Sequence, residues 1–192
     1  MRVGELWSLT SGLDEEGFTG RFPEPALVIP PFGRGLLEPL FETHCGERGA
    51  SLGGSPPVGS LRIGMIRSRR PMEEHPSSWS VHFITKTSRN PFGSMVTVGR
   101  ASTNDICLED PTVSKVHAAL VFDGARWTIV DPGSKNGTYL NGHRAQPKRA
   151  MRIDDGSHIS FGNTVAARFY LPPSLLGFLR LQGSRLTRTV ET

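Results

Sequence analysis

Between Ser80 and Leu171 the sequence is a series of short apolar-alternating runs, each bounded by Gly, Asp, Asn or Pro. Side chains on an extended backbone point to opposite faces in turn, so alternation over a few residues marks a strand with one buried face. WSVHFITKT alternates with Val81, Phe83 and Thr85 on one face, and a turn follows at Asn90-Pro91-Phe92-Gly93. SMVTVGR, DICL, HAALVF, RWTIVD, GTYL, SHISF and VAARFYL continue the series. Short strands at even spacing predict an all-β sandwich or barrel. Asn136-Gly137 and Asn141-Gly142 fall where tight turns need positive φ, which Asn and Gly tolerate. Gly 22 plus Pro 15 is 37 of 192 residues, which excludes an all-helical bundle. Leu120, Phe122, Trp127 and Ile129 are the expected core, and Cys107 between Ile106 and Leu108 is expected to be a small buried or half-buried strand residue.

The flanks differ. Residues 1–77 contain RFPEPALVIPPFGRG and GASLGGSPPVGS, compositions that favour turns and coil. They are expected to form a poorly ordered, largely irregular arm with two apolar islands, Leu36–Phe41 and Leu61–Ile66, and at most one strand or short helix docked on the rest; the alternative is a small second domain or a terminal extension packed over the main one. Residues 78–171 form the expected domain. In residues 172–192, Pro172-Pro173 ends the strands. A short amphipathic helix with Leu175, Leu176, Phe178, Leu179 and Leu181 follows, and then a polar tail.

Composition narrows the function classes. Two cysteines exclude a disulfide scaffold and a four-cysteine metal site. Glu42, His44 and Cys45 lie close together, but nothing else completes a site. No metal site or cofactor is expected. No apolar run is long enough for a membrane span, and Met1–Gly17 lacks an apolar stretch of signal-peptide length, so a cytoplasmic location is expected. The net charge is +4. Residues 80–170 carry 11 Lys/Arg against 7 Asp/Glu, which fits an anionic ligand but is too diffuse for a nucleic-acid stripe.

Three features converge on loops between strands. Gly99-Arg100 closes one strand and projects a guanidinium. Ser114-Lys115-Val116-His117 precedes another. Gly133-Ser134-Lys135-Asn136-Gly137 links two more. An Arg fork, a hydroxyl, two lysines and glycine-opened amides suit a tetrahedral dianion. No base, carboxylate pair or metal-ligand spacing accompanies them, so the pattern is one for holding a phosphate, and no enzyme activity is expected.

In this order and spacing, Gly99-Arg100, Ser114 with His117, Asp131, Gly133-Ser134, Asn136-Gly137-Thr138 and Asn141-Gly142 resemble the forkhead-associated (FHA) domain family. The resemblance covers residues 78–171. It implies an antiparallel β-sandwich of about eleven short strands that binds phosphothreonine peptides through loops at one end. It also implies roles: Arg100, Ser114 and Lys115 on the phosphate, Lys135 through its amide or its ammonium, and Asn136 on the peptide main chain. Gly99, His117, Asp131, Gly133, Ser134 and Gly137 are implied as supports of the loops. The expected function is an adaptor module acting downstream of a Ser/Thr protein kinase, with a phosphothreonine protein or peptide, the kinase or its substrate as partner. The alternative is a phosphate-independent scaffold built on the same sandwich, for instance in a secretion or envelope assembly. Nucleic acid is not an expected partner. The loop before the serine, Glu109 to Val113, holds no Arg, so weak or apolar selectivity downstream of the phosphothreonine is expected.

Overall fold

The computed structural model describes residues 1–31 and 78–188, with side chains to residue 183. Eleven strands among the described residues form two sheets. They are β1 (Ala26–Ile29), β2 (Ser80–Phe83), β3 (Val96–Gly99), β4 (Ile106–Cys107), β5 (Ala118–Phe122), β6 (Trp127–Val130), β7 (Thr138–Leu140), β8 (His143–Arg144), β9 (Ala150–Ile153), β10 (His158–Phe161) and β11 (Val165–Tyr170). One sheet runs β2-β1-β11-β10-β7-β8 and the other β4-β3-β5-β6-β9. All pairings between named strands are antiparallel except the short edge pair of β3 with β4.

The alternation predicted from the sequence decides which side chains fill the sandwich. On β11, Val165, Ala167 and Phe169 turn inward, and on β5 Ala118 and Leu120 do so. They meet Val98, Ile129, Ile159 and Phe161 in one core between the sheets. Two of the four expected core residues differ in degree or in kind. Trp127 is only partly buried against this core, and Phe122 is 48% exposed. Phe122 ends its strand at a hairpin, where its ring packs on Trp127 at 5.3 Å instead of entering the sandwich. Cys107 is half-buried, as expected. The predicted strand over WSVHFITKT is confined to Ser80–Phe83. Val81 and Phe83 share a face, but Ile84 enters the sandwich core and Thr85 is exposed. Strands β8 and β9 have no counterpart among the alternating runs, because both residues of HR are exposed and AMRI buries only Ile153.

The irregular arm expected at residues 1–77 is corrected for residues 1–31. These form α1 (Val3–Thr10), α2 (Glu15–Arg21) and β1. Strand β1 lies inside the six-stranded sheet, paired to β2 on one side and to β11 on the other. All four of its residues are buried. Leu27 and Ile29 face the sandwich core, while Ala26 and Val28 face a layer of helices on the sheet's outer side. A strand covered on both faces is apolar throughout and does not alternate. The ends of β1 and β2 are paired at Ile29 and Ser80, so residues 32–77 are an insertion between two adjacent strands. Leu36–Phe41, Leu61–Ile66 and the Glu42, His44, Cys45 group lie outside the described residues.

The helical layer has ordinary causes. Asp14 caps α2 by accepting from the Gly17 N–H at 2.8 Å, and Glu5 accepts from the Arg2 N–H at 2.8 Å at the start of α1. Val3 and Leu6 of α1 and Phe18 of α2 meet Leu175, Leu176 and Leu179 of α3 (Pro172–Arg188). That helix is longer than the short segment expected. Phe178 stacks on Trp79 and Tyr170, tying α3 to the sheet. No helix among the described residues is long and apolar enough to cross a membrane.

Candidate functional site

The loops that carry the candidate residues meet because hydrogen bonds join three connections. The Arg100 N–H donates to the Ser114 carbonyl at 2.9 Å, joining the loop after β3 to the loop before β5. The Lys135 N–H donates to Ser114 Oγ at 3.0 Å, adding the loop between β6 and β7. Ser114 is therefore the junction of all three. Its hydroxyl already accepts one bond, which leaves its single proton to be donated outward.

Gly99 has no alternative residue type at its position. A Cβ there would lie 2.4 Å from the Lys115 carbonyl oxygen and 2.9 Å from Asn104 Nδ2. The close approach lets the two loops run side by side, and buried Asn104 bridges them by donating to the carbonyls of Ala101 at 2.8 Å and Lys115 at 2.6 Å. Arg100 follows with an exposed side chain. Its Nε donates to the Val113 carbonyl at 3.2 Å. Among the described residues no carboxylate pairs with its guanidinium. Lys115 and Lys135 are exposed on the two loops that meet at Ser114.

His117 is completely buried, between the loops and Phe161. Its Nδ1 accepts from the Ser114 N–H at 2.9 Å, so Nδ1 carries no proton. Nε2 then donates to the Gly137 carbonyl at 3.1 Å. Burial pushes its pKa down, against the pull of the Gly137 carbonyl and Asp131. Asp131 is also buried. Its Oδ1 accepts from the N–H groups of Gly133 and Ser134, and its Oδ2 from Ser134 Oγ and the Thr138 N–H. Burial alone would raise this carboxyl's pKa, but the bonds from Ser134 and Gly133 outweigh it and hold the group below its ordinary value. Gly133 and Gly137, at φ 118° and 82°, permit the reversal around this carboxylate.

Asn136 is placed by the same loop. Its Nδ2 donates to the Thr112 carbonyl at 2.7 Å, so one amide hydrogen is engaged within the protein and Oδ1 points elsewhere. The Lys135 amide is also engaged, which leaves the ammonium as that residue's outward group. Arg100, Ser114, Lys115, Lys135 and Asn136 thus come together on three adjoining loops, over the supports Gly99, His117, Asp131, Gly133, Ser134 and Gly137.

The sequence reading missed three supports. Asn104 is one. The second is Asp105, which accepts from the N–H groups of Thr87 and Thr97, each at 2.8 Å, and pairs with Lys86 at 3.0 Å. Burial disfavours its charge, yet the bonds from Thr87, Thr97 and Asn90 hold its carboxyl far below the ordinary range. The third is Asp110, which accepts from the Thr112 N–H and Oγ1, while Thr112 Oγ1 also meets Thr164 Oγ1 at 2.8 Å. Only an Asp-x-Thr turn at 110–112 was readable in advance.

Residues 96–162 match the family model described as FHA domain. Among curated proteins, FhaB of Mycobacterium tuberculosis is 39% identical over 70 residues, covering 36% of this chain and 44% of FhaB. The oxoglutarate dehydrogenase inhibitor of Corynebacterium jeikeium is 41% identical over 64 residues, covering 33% of this chain and 42% of that protein. The chain spans less than half the length of these curated relatives. Among solved structures, the FHA domain of an Arabidopsis thaliana protein is 28% identical, with a TM-score of 0.42, over 48% of this chain and 74% of that one.

Proposed function

With an FHA domain over residues 96–162, we propose that this chain is a phosphothreonine-peptide-binding adaptor module acting downstream of a Ser/Thr protein kinase. The observation that carries the reading is Arg100. Its guanidinium is exposed, is steadied at Nε by the Val113 carbonyl, and has no carboxylate partner among the described residues. A phosphothreonine, with a charge of about −1.5 to −2 at pH 7, supplies what is missing. In this reading Arg100 is the principal counter-ion and Ser114 donates its hydroxyl proton. The ammonium groups of Lys115 and Lys135 add charge. Asn136 Oδ1 accepts from the peptide main chain.

The arrangement supports binding over catalysis. His117 is buried with both ring nitrogens bonded, and both Asp131 oxygens accept two bonds each. Neither group is left to serve as a base. A charged hydrogen bond contributes roughly 1.5–3 kcal/mol net. Two or three, less the cost of ordering a flexible peptide, approach the ~8 kcal/mol of a micromolar complex.

The test is capture of partners from kinase-active lysate by the wild-type chain and by Arg100→Ala, with and without phosphatase. Capture should vanish with phosphatase. With an isolated phosphothreonine peptide, Arg100→Ala should lose on the order of 2–4 kcal/mol of affinity without changing the folded spectrum. Capture that survives both treatments would point to a phosphate-independent scaffold.

A further inference from the structure

The tertiary fold sets two cations beside the 131–137 loop that no sequence pattern linked to it. Arg144, on β8, is exposed. Its guanidinium lies against Gly137, where a Cβ would sit 2.8 Å from Arg144 Nε and 3.2 Å from its Nη2. Gly137 directly follows Asn136. Among the described residues, no carboxylate or hydrogen-bond acceptor holds the Arg144 guanidinium. At the loop's other end, the Lys148 N–H donates to the Asp131 carbonyl at 2.6 Å. This fixes Lys148 at φ 63°, a left-handed conformation that lysine rarely adopts.

The surrounding segment has no charge to quench these groups. His143 to Arg152 contains Arg144, Lys148, Arg149 and Arg152 and no acidic residue. Arg152 is paired with Asp154 at 2.8 Å, and Arg149 donates to Gln146 at 2.8 Å. Arg144 and Lys148 keep their charge unpartnered on either side of the loop that carries Lys135 and Asn136.

We propose that Arg144, assisted by Lys148, is a specificity-determining residue that recruits a second anionic group flanking the phosphothreonine. This rests on the phosphothreonine reading and deepens it by naming the ligand class: a segment with an additional acidic side chain or a second phosphate near the phosphothreonine. An extended peptide advances about 3.3 Å per residue, so a few residues reach from the phosphate cluster across one loop. The expectation of weak or apolar selectivity considered only the loop before Ser114. The fold supplies the missing arginine from a different strand.

The experiment measures peptide affinity for the full chain by fluorescence anisotropy. The parent peptide carries phosphothreonine among alanines. One series walks Asp through the flanking positions, and a second places phosphoserine there instead. In wild type, at least one position should improve affinity about three- to tenfold over the parent, as a rim charge contact does. The better of the two series identifies the source of the second anion. R144Q should lose that gain while keeping parent affinity, R144K should keep part of it, and K148Q should lose part of it. A wild type indifferent to every added anion overturns the proposal, as does R144Q weakening parent and acidic peptides equally. If wild type fails to bind the parent, or Arg100→Ala binds it equally well, the phosphothreonine reading itself has failed and this one falls with it.

Discussion

At the scale of single residues, the candidate site depends on groups already bonded and on a few left unbonded. His117 shows the first kind. Its Nδ1 must stay unprotonated to accept the Ser114 N–H, and burial lowers its pKa from the ordinary value of about 6.5. A histidine whose folded pKa is depressed binds more protons unfolded than folded just below that ordinary value. Its stabilisation is then complete above about pH 6.5 and is lost as pH falls from there toward the folded pKa. His82 and His158 are also lowered by burial and act in the same direction. Chemical denaturation from pH 7.5 to 5 should therefore show decreasing stability. His117→Gln, less stable at neutral pH, should show a shallower decline. An equally steep decline in that variant would place the effect at the other histidines.

At the scale of elements, α1 and α3 meet with no room to spare. A Cβ on Gly183 would lie 2.2 Å from Cε2 of Trp7, whereas one on Gly177 of the same helix meets nothing within 4 Å. Alanine normally favours a helix over glycine by about 0.5–1 kcal/mol. At Gly177 that gain should appear undiminished, raising the melting temperature slightly. At Gly183 the indole must be displaced, and overpacking of this kind costs roughly 1–3 kcal/mol. Gly183→Ala should therefore lower the melting temperature. Thermal unfolding of both variants checks the contrast, and equal responses would refute the contact between Trp7 and α3.

At the scale of the whole molecule, the sandwich is completed by the N-terminal segment. Strand β1 is internal to its sheet and supplies Leu27 and Ile29 to the core. A chain starting at residue 78 would leave β2 and β11 without the strand between them and would expose their apolar faces. It should show no cooperative unfolding transition, whereas the full chain should show one by calorimetry. Within residues 96–162 the turns, the loops of the candidate site and every strand except β8 and β9 were readable because each signal is local: alternation, Asn-Gly turns and the ordered motif residues lie close along the chain. Residues 1–31 were not readable, because ALVI is buried on both faces and its partner β2 lies beyond the insertion. Leu6 and Phe18 become core residues only where α3 covers them. Side-chain chemistry and short spacings were enough to nominate Arg100, Ser114, Lys115, Lys135 and Asn136 for the proposed phosphate site. That β1 completes the sandwich and that Arg144 stands beside Gly137 emerged with the fold, because pairing between distant segments is settled by burial and close approach, which no local pattern encodes.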